Sequence, residues 1–218
     1  MPIADKYLAD LTEGNIYHIY NRTNNKELLF KSDENRRFFL QRFIHYLSPY
    51  LDTYCWCLLP NHFHFLIRVK TETDIKEWLH KQEILKPAEK NYLEGKESST
   101  RLLEKSFQQF FTSYAMAFNK MYGRDGNLFH RPFKRIEINK ESHFTQAIVY
   151  IHANPLKHKL VDDFTLYRWS SWKSIISEAT TLLLRNELIK WFGNKDQLVK
   201  AHLDLSQYYY ESDIAIEE

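Results

Sequence analysis

Residues 53–69 (TYCWCLLPNHFHFLIRV) constrain the fold more than any other stretch of this chain. Two runs rich in β-branched and aromatic residues flank Pro60-Asn61, a pair that favours a turn, and together they predict a β-hairpin. Side chains alternate along a strand, so His62 and His64 share one face while Phe63 and Phe65 take the other. The phenylalanines predict a buried face. The histidines set two imidazoles side by side on a rigid element, which is half of a divalent-metal site and needs at least one more ligand. Two histidines at this spacing also occur by chance, so the pair alone does not decide for metal.

The rest of the chain supplies partners for the hairpin. Residues 14–22 (GNIYHIYNR) alternate as a strand, with Ile16, His18 and Tyr20 on one face and Tyr17 and Ile19 on the other. Ser32 or Asp33 caps a helix to about Tyr50, its buried stripe made by Phe38, Phe39, Phe43, Ile44 and Leu47. Thr73 or Asp74 opens a second helix to about Leu85, and residues 86–105, mostly polar and charged, predict a flexible insertion. A long helix follows from about Leu103 to Tyr122, ending at Gly123. Residues 133–138 (FKRIEI) alternate like a strand, and a helix from Glu141 or Ser142 should stop near Asn154, before Pro155. This order predicts an α+β fold in which an antiparallel β-sheet is covered by helices. Residues 1–177 form the main domain and 178–218 a helical C-terminal extension of open role.

Composition excludes several classes. With 44% hydrophobic and 16% aromatic residues the chain is globular, not disordered. It has no apolar run of membrane-spanning length and no basic-then-apolar start, so the expected compartment is the cytoplasm. A formal net charge of +2 permits a nucleic-acid partner without demanding one. Cys55 and Cys57, one residue apart, are too close for a relaxed disulfide and predict a reducing environment.

Tyr150 and Asn154 lie four apart on the helix that begins near Glu141, so phenol and amide share a face. Asn154 offers a carbonyl oxygen to a metal and Tyr150 offers a nucleophile. Half-buried packing for the tyrosine and a helix end for the asparagine explain the same residues without chemistry.

Five stretches in order resemble the REP-associated tyrosine transposases, relatives of the single-tyrosine insertion-sequence transposases among the HUH endonucleases. They are residues 17–30 (YHIYNRTNNKELLF), 58–67 (LLPNHFHFLI), 126–134 (GNLFHRPFK), 150–161 (YIHANPLKHKLV) and 167–171 (YRWSS). Phe63, Phe65, His130, Pro132 and the run Lys157-His158-Lys159 depart from the usual pattern, and none of them is a proposed ligand or nucleophile. The resemblance implies a ferredoxin-like (RRM-like) core. It assigns His62, His64 and Asn154 to a divalent ion, Mg²⁺ or Mn²⁺, and Tyr150 to attack on DNA. It also implies a single-stranded DNA partner carrying a hairpin (REP-like) element.

A tyrosine hydroxyl, with a pKa of about 10, is a poor nucleophile near neutrality, so a polarising ion beside the phosphate makes chemical sense. Arg22, Arg131, Lys134, Arg135, Lys157 and His158 are candidates for phosphate contacts, and Trp169 for base stacking or core packing. Three rival readings stand: a protein that binds DNA hairpins without cutting, a zinc protein using Cys55 or Cys57 with His62 or His64, and a replication initiator or plasmid relaxase, families that share the chemistry but lack the YHIYNR and YRWSS stretches. The run Tyr208-Tyr209-Tyr210 is a competing nucleophile, and both monomer and homodimer remain open.

Overall fold

Four strands form one antiparallel sheet in the order β2-β3-β1-β4: β1 (Ile16–Arg22), β2 (Leu51–Leu58), β3 (His62–Val69) and β4 (Lys134–Glu137). A computed structural model of the chain describes residues 7–211, with side chains to residue 206. Helix α1 (Asp33–Leu47) links β1 to β2, while α2 (Glu72–His80), α3 (Pro87–Leu93) and α4 (Ser99–Tyr122) link β3 to β4. This is a split βαβ arrangement with extra helices. After β4 come α5 (Glu141–Lys157), α6 (Trp172–Ile176), α7 (Arg185–Trp191) and α8 (Lys195–Glu211). The antiparallel sheet covered by helices is as the sequence predicts. Among the described residues no helix is long and apolar enough to cross a membrane.

The strand alternation builds two cores, one on each face of the sheet. Tyr17, Ile19, Phe63 and Phe65 face α1 and α4 in the larger core. Phe43 stacks on Phe65 at 4.1 Å between ring centroids, and Phe39 meets Phe63 at 5.0 Å. Each such buried phenylalanine contributes about 1.5–3 kcal/mol, so the Phe face of β3 fixes which way its histidines point. The helices end where local chemistry dictates. Ser32 caps α1 in a reciprocal box with Asn35, and Gly123 closes α4 in the left-handed region at φ 58°.

Three expectations need correction. Residues 86–105 are not a flexible insertion: they hold α3 and the start of α4. Ala88, Glu89 and Tyr92 of α3 are buried, and the Glu89 carboxylate accepts from the Tyr50 hydroxyl and the Lys86 backbone N–H, each at 2.6 Å. The polar composition hid a short helix whose one buried carboxylate is fully used. Helix α2 starts earlier than expected, because Thr71 rather than Thr73 or Asp74 accepts from the Asp74 backbone N–H at 3.2 Å. Helix α5 runs through Pro155 to Lys157. Proline in the last turn forfeits one hydrogen bond, and the chain closes beyond it with His158 N–H donating to Asn154 O at 3.0 Å.

The second core lies between the other sheet face and α5 to α8. Tyr54, Cys55, Cys57 and Leu66 meet Phe144, Ile148, Tyr150 and Ile151, with Leu188 and Leu198 completing it. The helical segment after residue 177 therefore packs on the sheet through α7 and on α5 through α8. The backbone of Tyr208, Tyr209 and Tyr210 continues α8, while their side chains lie outside the described ones.

Candidate functional site

The face of the sheet beneath α5 collects most of the chemistry. The β1–β3 register pairs Tyr20 with His64 and Arg22 with His62. The β1–β4 register sets Lys134 opposite Tyr20. Directly opposed residues share a face, so His18, Tyr20, His62, His64 and Lys134 all project toward α5. His18 and His64 are fully buried, and His62 is nearly so. The His62 Nδ1 lies 2.7 Å from Asn61 Oδ1. That oxygen accepts, so Nδ1 carries the proton and Nε2 is the nitrogen with a lone pair. The His64 Nδ1 lies 3.0 Å from His18 Nε2. Tyr20 stacks on His18 at 4.9 Å and on His64 at 5.8 Å.

From above, α5 brings Tyr150 edge-on to His18 at 6.1 Å and to His64 at 5.9 Å. Asn154 stands one turn further on. Its Nδ2 donates to Tyr150 O at 3.1 Å, while its Oδ1 is buried with no hydrogen-bond partner. An orphaned carbonyl oxygen of this kind calls for an explanation. Two imidazoles and an amide oxygen are a donor set that a divalent ion accepts, so the residues fit the expected metal. The zinc reading fares worse. Cys57 is opposite His64 in the β2–β3 register, but it is fully buried and packs with Cys55, Leu59 and Leu66 in the apolar second core, the ordinary place of a free cysteine. Among the described residues no group of three His, Cys, Asp or Glu side chains is arranged for a metal.

A cavity of about 330 Å³ opens beside His62. Arg22, Lys26, Arg131 and Lys134 line it with His62, His130 and His158, and no carboxylate takes part. The His130 imidazole is held below its usual range by partial burial first and by Arg22 and Lys134 after that. A second, larger cavity of about 590 Å³ runs along α4 and shares Asn21, His130, Arg131 and Pro132 with the first.

No protein-family model and no curated protein sequence matches the chain. A solved structure does: that of a REP-associated tyrosine transposase bound to a REP hairpin, with a TM-score of 0.55 and 14% identity. The match covers 84% of this chain and 90% of that one. This chain shares that transposase's fold.

Against this shared fold, the residues singled out in the sequence separate into groups. His62 and His64 lie side by side on β3, Tyr150 of α5 packs edge-on to His64, and Asn154 stands one turn beyond Tyr150 on the same helix. Arg22, Arg131, Lys134 and His158 line the adjoining cavity, where His158 packs on His62 at 4.6 Å. The Lys157 ammonium lies 5.6 Å from the Tyr150 ring centroid. Arg135 does not join them. Its neighbour Lys134 takes the site face, so Arg135 points to the opposite one, where it is buried, pairs with Glu104 at 2.9 Å and donates to Ala9 O at 2.6 Å. Trp169 is half-buried against the larger core, its indole N–H donating to Asp33 at 2.8 Å, which is the packing alternative. His18 and Tyr20 were legible as sharing a face, but only the strand register brings them to His64.

Proposed function

We propose that this protein cuts and rejoins single-stranded DNA next to a hairpin, using Tyr150 as the nucleophile and a divalent ion held by His62, His64 and Asn154. The observation that carries the reading is a tyrosine ring packed on a strand imidazole, with an orphaned amide oxygen one helical turn from that tyrosine, beside a cavity whose charged lining residues are all cationic. The structural neighbour's partner, a REP hairpin, supports the choice of DNA. When bound, the ion neutralises charge on a non-bridging phosphate oxygen and helps orient the scissile bond. Arg22, Arg131 and Lys134 hold flanking phosphates and raise the local concentration of the strand.

In the chemical step Tyr150 Oη forms a bond to phosphorus as the bond to the 3′ oxygen breaks, and the phenol's proton ends on that oxygen. The products are a 5′-phosphotyrosine and a free 3′-hydroxyl. Attack by that hydroxyl or another one reverses the step, so no nucleotide cofactor is required. Tyr150 is 1% exposed and does not line the cavity, so attack requires a movement of the α5 end that uncovers its hydroxyl.

The test is a denaturing gel of labelled single-stranded oligonucleotides with hairpins from the flanking genome, incubated with protein and Mn²⁺ or EDTA. A protein-linked band should form with Mn²⁺ and vanish in EDTA, in Tyr150→Phe and in His64→Ala. Hairpin binding with no covalent band across metals would instead support the reading of a DNA-hairpin-binding protein. A band surviving Tyr150→Phe would remove Tyr150 as nucleophile.

A further inference from the structure

We propose that His18 is a positioning residue that holds His64 in its Nδ1–H form and so aims His64 Nε2 toward the ion; this rests on the metal-site reading above. The geometry begins with the 3.0 Å separation of His18 Nε2 and His64 Nδ1. Two ring nitrogens that close share one hydrogen, because two protons clash and two lone pairs repel. Either His64 donates or His18 does. If His18 donated, a neutral His64 would carry its proton on Nε2 and have no lone pair there for a metal.

The neighbouring strand imidazole indicates which arrangement holds. His62 has its Nδ1 against an oxygen, Asn61 Oδ1, at 2.7 Å, which fixes the Nδ1–H form. Both imidazoles then have the same design: Nδ1 engaged by an acceptor, and the lone pair on Nε2. A ligating histidine whose second nitrogen is held by a partner is better oriented and more basic, and loss of such a partner lowers metal affinity about 10–100-fold. His18 is well placed for this work because it cannot drift. It is 2% exposed, stacks on Tyr20 at 4.9 Å and on His64 at 5.2 Å, and has Tyr150 edge-on at 6.1 Å. Its backbone is locked into the central strand β1 between β3 and β4.

The experiment uses ¹⁵N-labelled full-length protein, metal-free and near neutral pH, with His18→Gln and His18→Phe as variants. The glutamine amide can reach the place of Nε2 and accept from His64, whereas phenylalanine fills the space without an acceptor. Imidazole ¹⁵N shifts should show His64 as Nδ1–H in the parent and in His18→Gln, and as a tautomer mixture in His18→Phe. Calorimetric titration with Mn²⁺ should then give near-parental affinity for His18→Gln and a loss of about 10–100-fold for His18→Phe.

The proposal is overturned by an Nε2–H His64 in the parent, or by parental Mn²⁺ affinity in His18→Phe. It is also overturned if His18→Gln binds as weakly as His18→Phe, which would make His18 a ligand in its own right. Should His18→Phe not fold, the parental tautomer and His18→Gln decide the matter. A parent with Nδ1–H His64 that binds no Mn²⁺ sinks the metal site and leaves the His18–His64 contact standing.

Discussion

Asn154 carries an amide oxygen that the fold itself does not use. Its buried Oδ1 has no hydrogen-bond partner, and a buried, unsatisfied oxygen costs about 1–3 kcal/mol. Asn154→Leu keeps the volume and removes that oxygen together with the bond from Nδ2 to Tyr150 O. In EDTA the variant should therefore unfold in urea within about 1 kcal/mol of the parent. With Mn²⁺ at a hundred times its dissociation constant the parent should gain about 2.7 kcal/mol and the variant nothing. Equal gains in both would exclude Asn154 as a ligand. The chemistry of such residues is legible in the sequence as donor type and spacing. Their satisfaction is not, because an orphaned atom is defined only by what surrounds it.

At the scale of elements, α5 matters most, since it carries Tyr150 and Asn154 and is pinned by a buried hydrogen-bond chain. Leu198 O accepts from His202 Nδ1 at 2.8 Å, and His202 Nε2 lies 2.9 Å from His152 Nδ1. His152 Nε2 lies 2.8 Å from Ser171 Oγ, which in turn accepts from Trp56 N–H at 2.9 Å. With both imidazoles neutral, every proton in the chain has a consistent place: Ser171 donates to His152 Nε2, His152 Nδ1 to His202 Nε2 and His202 Nδ1 to Leu198 O. Burial holds His202 down to about 4 and His152 well below its usual range, with His202 adding to the effect on His152. A histidine whose folded pKa is depressed stabilises the fold fully above its unfolded pKa of about 6.5 and loses that contribution as pH falls toward the folded value. Urea unfolding should thus show stability falling between pH 6.5 and about 4, by about 3 kcal/mol for His202 alone, with a flatter profile in His202→Leu. The stretches around Tyr150 and Tyr167 were singled out for DNA chemistry. They also contain His152 and Ser171, which join α5 to β2. A motif read from one sequence does not separate residues that react from residues that hold, because both are fixed by contacts remote in the chain. The same limit explains α3: Glu89 reads as surface charge until Tyr50, 39 residues away, is found donating to it.

For the whole molecule, the hairpin and its alternation made the sheet legible. The strand order, and with it the joining of β1 to β3, came only from the structure. Charge shows the same difference of scale: a net +2 is unremarkable, yet Arg22, Lys26, Arg131 and Lys134 converge on one cavity. Affinity for a single-stranded probe should fall with salt, with a log–log slope of about −0.7 per phosphate held and so about −3 for four contacts. Arg131→Ala should make the slope shallower by about 0.7, measured by fluorescence anisotropy in EDTA, and an unchanged slope would take Arg131 out of the interface. The sheet's two margins carry a different consequence. Beyond β4, Ala9 N–H donates to Arg135 O at 3.3 Å, and beyond β2, Leu58, Ser171 and Leu184 N–H bond across to Trp169, Trp56 and Thr53 carbonyls at 2.8–2.9 Å. Bare strand margins recruit other chains by continuing the ladder; here each is partly covered by the protein's own backbone. A second copy is thereby denied part of the ladder that each margin would otherwise offer for pairing.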